Sequence, residues 1–216
     1  LLLAAWRGLP ADRPHAAGPA RGLGALVGAY ATLLRERAYV LHVAVLGLTV
    51  AVFYAFLSGA PLVLRSLGVG PGEVGFFIMF VPLSYIAGNF ATSRLAHRSD
   101  AGWLMRSGQA LSLAGIVAML MLGLADVRSP FAFSLPLMLL GLGHGLLVPP
   151  VLARTVGLVP ALAGAAAAVA GVMQQFVGGL GAYAVGWVPH DGQVNLALLM
   201  LALTLAAQAA VAALQR

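Results

Sequence analysis

The side chains best suited to holding a small molecule lie inside long apolar runs. Gln174 and Gln175, flanked by Met173 and Phe176, form the densest polar cluster in any such run. Successive helical residues point about 100° apart, so the two amides cannot share one position, and at least one should face the interior. Tyr54 and Ser58 are four apart and share a helix face, with Phe53 and Phe56 alongside. An aromatic wall with one hydroxyl suits a lipophilic, often cationic guest. The ring face attracts the cation, and apolar area gives affinity without fixed hydrogen bonds. Asn89 follows Tyr85 by four residues, with Met79 and Phe80 in the same run; an amide in lipid must find a partner, either a guest or a neighbouring helix. His42 and His144 are the only groups within the runs that titrate near neutral pH. His144, inside Gly141 to Gly145, reads either as a ligand or proton handler or as a neutral ring bonded to a backbone carbonyl, and His42 as interfacial.

This is chemistry of binding and gating. No HExxH, GxSxG or Walker glycine loop occurs, and no carboxylate pair lies in an apolar run, so no enzyme is expected. The six acidic residues, Asp12, Glu36, Glu73, Asp100, Asp126 and Asp191, all fall in predicted loops. With no cysteine there is neither a disulfide nor a thiolate metal site, and no metal or cofactor is expected.

The elements that must carry these groups follow from composition. The chain is 61% hydrophobic and 8% charged, with a mean hydropathy of +0.97. A water-soluble domain needs roughly 25% charged residues, so most of this surface faces lipid. The formal charge of +6 and pI near 10.8 raise the question of nucleic acid. The arginines sit singly between apolar runs, with no basic stripe and no interleaved aromatics, so no nucleic-acid partner is expected.

A crossing takes about 20 mainly apolar residues. On that criterion the sequence predicts an all-α bundle of six transmembrane helices, near Tyr39–Leu64, Phe76–Ser93, Trp103–Ala125, Phe131–Ala153, Leu158–Val188 and Val194–Leu214. Residues 39–216 form the bundle. Residues 1–38 read as the end of a preceding helix, Leu1 to Trp6, followed by an arginine-bearing cytoplasmic linker. Within it, Leu23 to Arg37 fits a membrane-surface amphipathic helix and a loose linker equally well. The start, without Met or a charged leader, reads as neither a signal peptide nor a natural beginning. Pro61, Pro82, Pro136 and Pro149-Pro150 should kink or end helices, and Gly164, Gly171 and Gly178 should give the fifth helix a smooth face for close approach.

Placing the linker in the cytoplasm puts ten of the twelve arginines there, with only Arg65 and Arg128 on the other side. The positive-inside bias therefore predicts both ends of the segment in the cytoplasm.

Several segments together resemble the C-terminal half of the major facilitator superfamily, and within it the Bcr/CflA type of multidrug exporter. The resemblance rests on Phe53-Tyr54-Ala55-Phe56-Leu57-Ser58-Gly59-Ala60-Pro61-Leu62-Val63-Leu64, on the turn from Arg94 to Gly102, on Gly141 to Gly145 with Pro149-Pro150, and on Ala163 to Gln175. The family pattern has Asn where Pro150 stands, and the turn carries one extra residue before Gly102. The resemblance implies a bacterial inner-membrane antiporter that exchanges small lipophilic drugs for protons by alternating access, with a six-helix N-terminal half as its missing partner. Transport of one defined metabolite, or a non-transporting scaffold, are the alternatives. The six spans would be helices seven to twelve, with seven, eight, ten and eleven lining the cavity and nine and twelve supporting it. The substrate-binding set would be Phe53, Tyr54, Ser58, Tyr85, Asn89, His144, Met173 and Gln175, with Gln174 facing another helix. Arg94, Arg98 and Asp100 would form a charged gating turn, or serve only as topology anchors. The proton-coupling acid is expected in the other half, since no carboxylate lies at depth here.

Overall fold

The computed structural model describes residues 23–214. The expected helix end at Leu1 to Trp6, the linker arginines Arg7, Arg13 and Arg21, and Arg216 lie outside the described residues.

Six helices are long and apolar enough to cross a membrane: α2 (Arg37–Ser66), α3 (Val74–Leu95), α4 (Ala101–Leu124), α5 (Pro130–Gly157), α6 (Pro160–Val185) and α7 (Gln193–Leu214). They are preceded by α1 (Leu23–Arg35), and no strand occurs among the described residues. The predicted spans agree to within four residues at each end. Of the two readings of Leu23 to Arg37, a helix forms, and its Leu33 is fully buried in a cluster with Tyr39 and Ala166. The Tyr39 hydroxyl donates to the Ala166 carbonyl at 2.8 Å, fixing the start of α2 against α6.

The prolines sort into two classes. α3 is interrupted at Met79, between Val74–Ile78 and Phe80–Leu95, because Pro82 has no N–H to offer the Ile78 carbonyl. α5 is broken in the same way before Leu137, at Pro136. Pro61, Pro149 and Pro150 sit inside continuous helix instead.

Glycines decide which helices meet backbone to backbone. On α5, Gly141 and Gly145 are one turn apart and face α3, where an added Cβ would strike Val81 and Ser84 or Tyr85, Gly88 and Asn89. Gly143, about 200° round the helix from Gly141, faces Gly108 and Ser112 of α4. On the other side of the bundle Gly181 abuts the Ala51 backbone and Gly178 meets Val50 and Tyr54, so α6 lies close along α2. The smooth stripe expected on the fifth span therefore divides: Gly178 is packed, whereas Gly164 and Gly171 have open space beside them. α7 closes the bundle against α2 and α4. The main core gathers Val52, Phe56, Ile116, Met119, Phe133 and Leu196 toward one end, with Phe56 stacked on Phe133 at 6.4 Å between ring centroids.

One buried bond ties α3 to α5 directly: the Thr92 hydroxyl donates to the Gly145 carbonyl at 2.8 Å. Thr92→Val keeps the shape and removes the donor. We expect it to lower stability by roughly 0.6 kcal/mol and by no more than about 1.7 kcal/mol, the average and the upper value for interhelical hydrogen bonds in bilayers, measured by reversible unfolding in mixed micelles.

Candidate functional site

Between the α2–α6 pair and the α3–α5 pair lies a cavity of about 260 Å³. Thr49, Val50, Phe53 and Tyr54 of α2 line it, as do Pro82 and Tyr85 of α3, His144 and Val148 of α5, and Gln174 and Gln175 of α6. α4 and α7 contribute nothing to its walls. The four lining spans are the four that the family resemblance singles out.

Each wall has a local cause. On α2, Thr49 and Phe53 stack one turn apart, as do Val50 and Tyr54, and the close approach at Gly178 brings the Tyr54 ring against α6. The Tyr54 hydroxyl there donates to Gln175 Oε1 at 3.1 Å, linking α2 to α6 along one wall of the cavity. The Phe53 ring lies 6.2 Å from Tyr54, tilted by 49°. His144 stands on α5 between glycines that face α3 and α4, so its ring takes the remaining direction into the cavity. It is 5% exposed and makes no hydrogen bond among the described residues. No carbonyl bond to this ring forms among the described residues.

Of the eight substrate-binding residues expected from the sequence, Phe53, Tyr54, Tyr85, His144 and Gln175 come together here. Ser58 is exposed one turn beyond Tyr54, outside the cavity. Asn89 Nδ2 donates to the Tyr85 carbonyl of its own helix at 2.8 Å, so the amide finds its partner locally. Met173 is partly buried but does not reach the walls. Phe56 points the other way, into the core. Gln174, expected to face a neighbouring helix, lines the cavity beside Gln175, because an opening between two helix pairs spans more than the 100° between them. Thr49, Val50, Pro82 and Val148 were missed, although Thr49 sits at the i−4 position to Phe53; its hydroxyl bonds back to Val45 at 2.7 Å and adds little polarity.

The charged turn is built at the end of the bundle where α2 begins. Asp100 caps α4, its Oδ2 accepting from the Gly102 N–H at 2.8 Å, while Oδ1 accepts from Arg154 Nη2 at 3.3 Å. Arg154, on the last turn of α5, was not among the expected gating residues. Arg94 instead lies over the Phe90 ring at 5.1 Å, and Arg98 is exposed. Asp100→Asn keeps an N-cap acceptor and breaks an ion pair whose members are 44% and 70% exposed. It should leave the melting temperature nearly unchanged, whereas Asp100→Ala should cost about 1 kcal/mol through the lost cap. Thermal unfolding of the two variants checks this.

All five carboxylates among the described residues lie outside the six long helices. The cavity therefore offers two aromatic hydroxyls, two amides and an imidazole, set in apolar walls and without a formal charge of its own. This arrangement can bind and release; it holds no nucleophile and base in contact.

No curated protein matches the chain. Residues 1–182 match the Major Facilitator Superfamily, and that match, together with six helices long and apolar enough to cross a membrane, places the chain as a multi-pass membrane protein belonging to the major facilitator superfamily of transporters.

Proposed function

We propose that the chain is the substrate-shaping half of a proton-coupled exporter of lipophilic drugs, of the Bcr/CflA type, working by alternating access with a second six-helix half. The observation that carries this reading is the uncharged, aromatic cavity in which Phe53, Tyr54 and Tyr85 meet Gln174, Gln175 and His144. Such walls favour guests with large apolar area and, through the ring faces, positive charge. The absence of a carboxylate from the long helices of the described region supports a reading in which proton loading falls to the partner half. The gathering of Arg35, Arg37, Arg94, Arg98, Arg106 and Arg154 at one end supports a cytoplasmic placement of that end, in a bacterial inner membrane.

Proteoliposomes carrying the full-length transporter test the reading. Chemically unrelated lipophilic cations should each stimulate proton flux. Stimulation by a single polar solute alone, or by none of the cations, overturns it.

A further inference from the structure

A second set of cavities lies outside the transport site, on the flank formed by α2, α4 and α7. At the arginine-rich end, a cleft of about 310 Å³ is bordered by His42, Asp100, Arg106 and Arg154, with Val211 and Leu214 as its apolar side. It shares Arg106 and Val211 with a groove of about 280 Å³ that runs between α4 and α7 along Gln109, Ala110 and Leu113. Arg106, Gln109, Ala110 and Leu113 follow the i, i+3, i+4, i+7 spacing, so they form one stripe of α4. The result is a slot with a charged mouth and a mainly apolar trunk, into which Gln109 of α4 and Gln208 of α7 bring the two amides.

Two buried polar atoms on this slot have no partner among the described residues: His42 Nε2, on a side chain 7% exposed, and Gln109 Nε2, on one 6% exposed. Buried polar groups are nearly always bonded, so each calls for something from outside the protein. Their chemistry differs. His42 Nδ1 must donate to the Ala38 carbonyl at 2.7 Å, which leaves Nε2 of the neutral ring as an acceptor that needs an O–H or N–H. Gln109 Nε2 is a donor and needs a carbonyl or similar oxygen. At the mouth Arg154 is paired with Asp100, while Arg106 makes no ion pair among the described residues, so the cleft carries one net positive charge.

We propose that this slot binds one anionic phospholipid whose headgroup carries a hydroxyl, a phosphatidylglycerol-like molecule. Its phosphate accepts from Arg106, its headgroup hydroxyl donates to His42 Nε2, and an ester carbonyl accepts from Gln109 Nε2. One acyl chain follows Ala110, Leu113 and Ala212. The depth fits: Gln109 lies about 4.5 Å further along α4 than Arg106, three residues at the helical rise, as an ester lies deeper than its phosphate. Basic pockets between transmembrane helices are suited to such headgroups. The apolar trunk selects a lipid over free phosphate.

Native mass spectrometry of the full-length protein, titrated with defined lipids, tests this. Phosphatidylglycerol should be retained about tenfold more strongly than phosphatidylcholine, and Arg106→Gln should remove that preference, since one charge-assisted bond is worth roughly a factor of ten. Gln109→Leu, which fits an apolar groove, should weaken retention severalfold. Arg98→Gln, at the same end but outside the slot, should leave it unchanged. Phosphatidylmethanol, with the same charge and no hydroxyl, should bind more weakly than phosphatidylglycerol in the parent protein but equally in His42→Phe. Equal losses in Arg98→Gln and Arg106→Gln, competition by millimolar inorganic phosphate, or no preference over phosphatidylcholine would each overturn the proposal.

Discussion

Gly145→Val should abolish the folded bundle. An added Cβ at Gly145 lies 2.5 Å from the Tyr85 carbonyl oxygen and 2.6 Å from the Asn89 nitrogen, both backbone atoms of α3, so no side chain can swing aside. Overpacking usually costs about 1 to 3 kcal/mol even where side chains can adjust. Here the helices must separate and the Thr92 bond to the Gly145 carbonyl breaks with them, so the cost should lie at or beyond the upper end of that range. Fluorescence-detected size exclusion should show aggregated or absent protein. The internal control is Gly164→Ala or Gly171→Ala: nothing lies within 4 Å of a Cβ at either position. Alanine there should be neutral or stabilise by up to about 1 kcal/mol through helix propensity. A well-folded Gly145→Val protein would show that α3 and α5 are not locked together as described.

The second large effect concerns Tyr54, on the proposed drug-binding reading. Its ring lies between Phe53 and the α6 backbone, and its hydroxyl holds Gln175. Tyr54→Ala removes both the aromatic wall and the bond. Burying a large apolar side chain is worth about 1.5 to 3 kcal/mol, so affinity for a lipophilic substrate should fall roughly ten- to a hundredfold. Tyr54→Phe should fall only a fewfold, and it should be non-additive with Gln175→Leu because the two changes remove the same bond. Equilibrium binding of a fluorescent lipophilic cation reads all four proteins. Full affinity in Tyr54→Ala would remove this cavity from consideration as the binding site.

The number, order and approximate limits of the spans were legible because each is a run of about 20 apolar residues bounded by charge or turn residues. The cavity was legible by direction rather than by depth. Helical periodicity gives an azimuth, which is why Tyr54 and His144 fell where expected and why Ser58, on the same azimuth as Tyr54, did not. One turn further along α2 the cavity has ended, and Ser58 there is exposed. Asn89 and Thr49 show a second limit. A polar side chain in a helix can satisfy itself on the carbonyl four residues back, and nothing in the sequence tells whether it does. Arg154 was overlooked because its partner Asp100 is 54 residues away, a pairing only the fold creates.

The glycines on opposite sides of α5 carry a mechanical consequence. With Gly141 and Gly145 seated on α3 and Gly143 on α4, three helices touch through main chain, which has no rotamers to yield; they form a plank that must tilt as one piece. α2 and α6 form a second plank through Gly181 and Ala51. The cavity lies along the seam between the planks, and α7, packed on both α2 and α4, together with the Phe56–Phe133 stack, joins the two planks beyond it. The Tyr54 bond to Gln175 joins α2 to α6 inside the second plank, so it does not cross that seam.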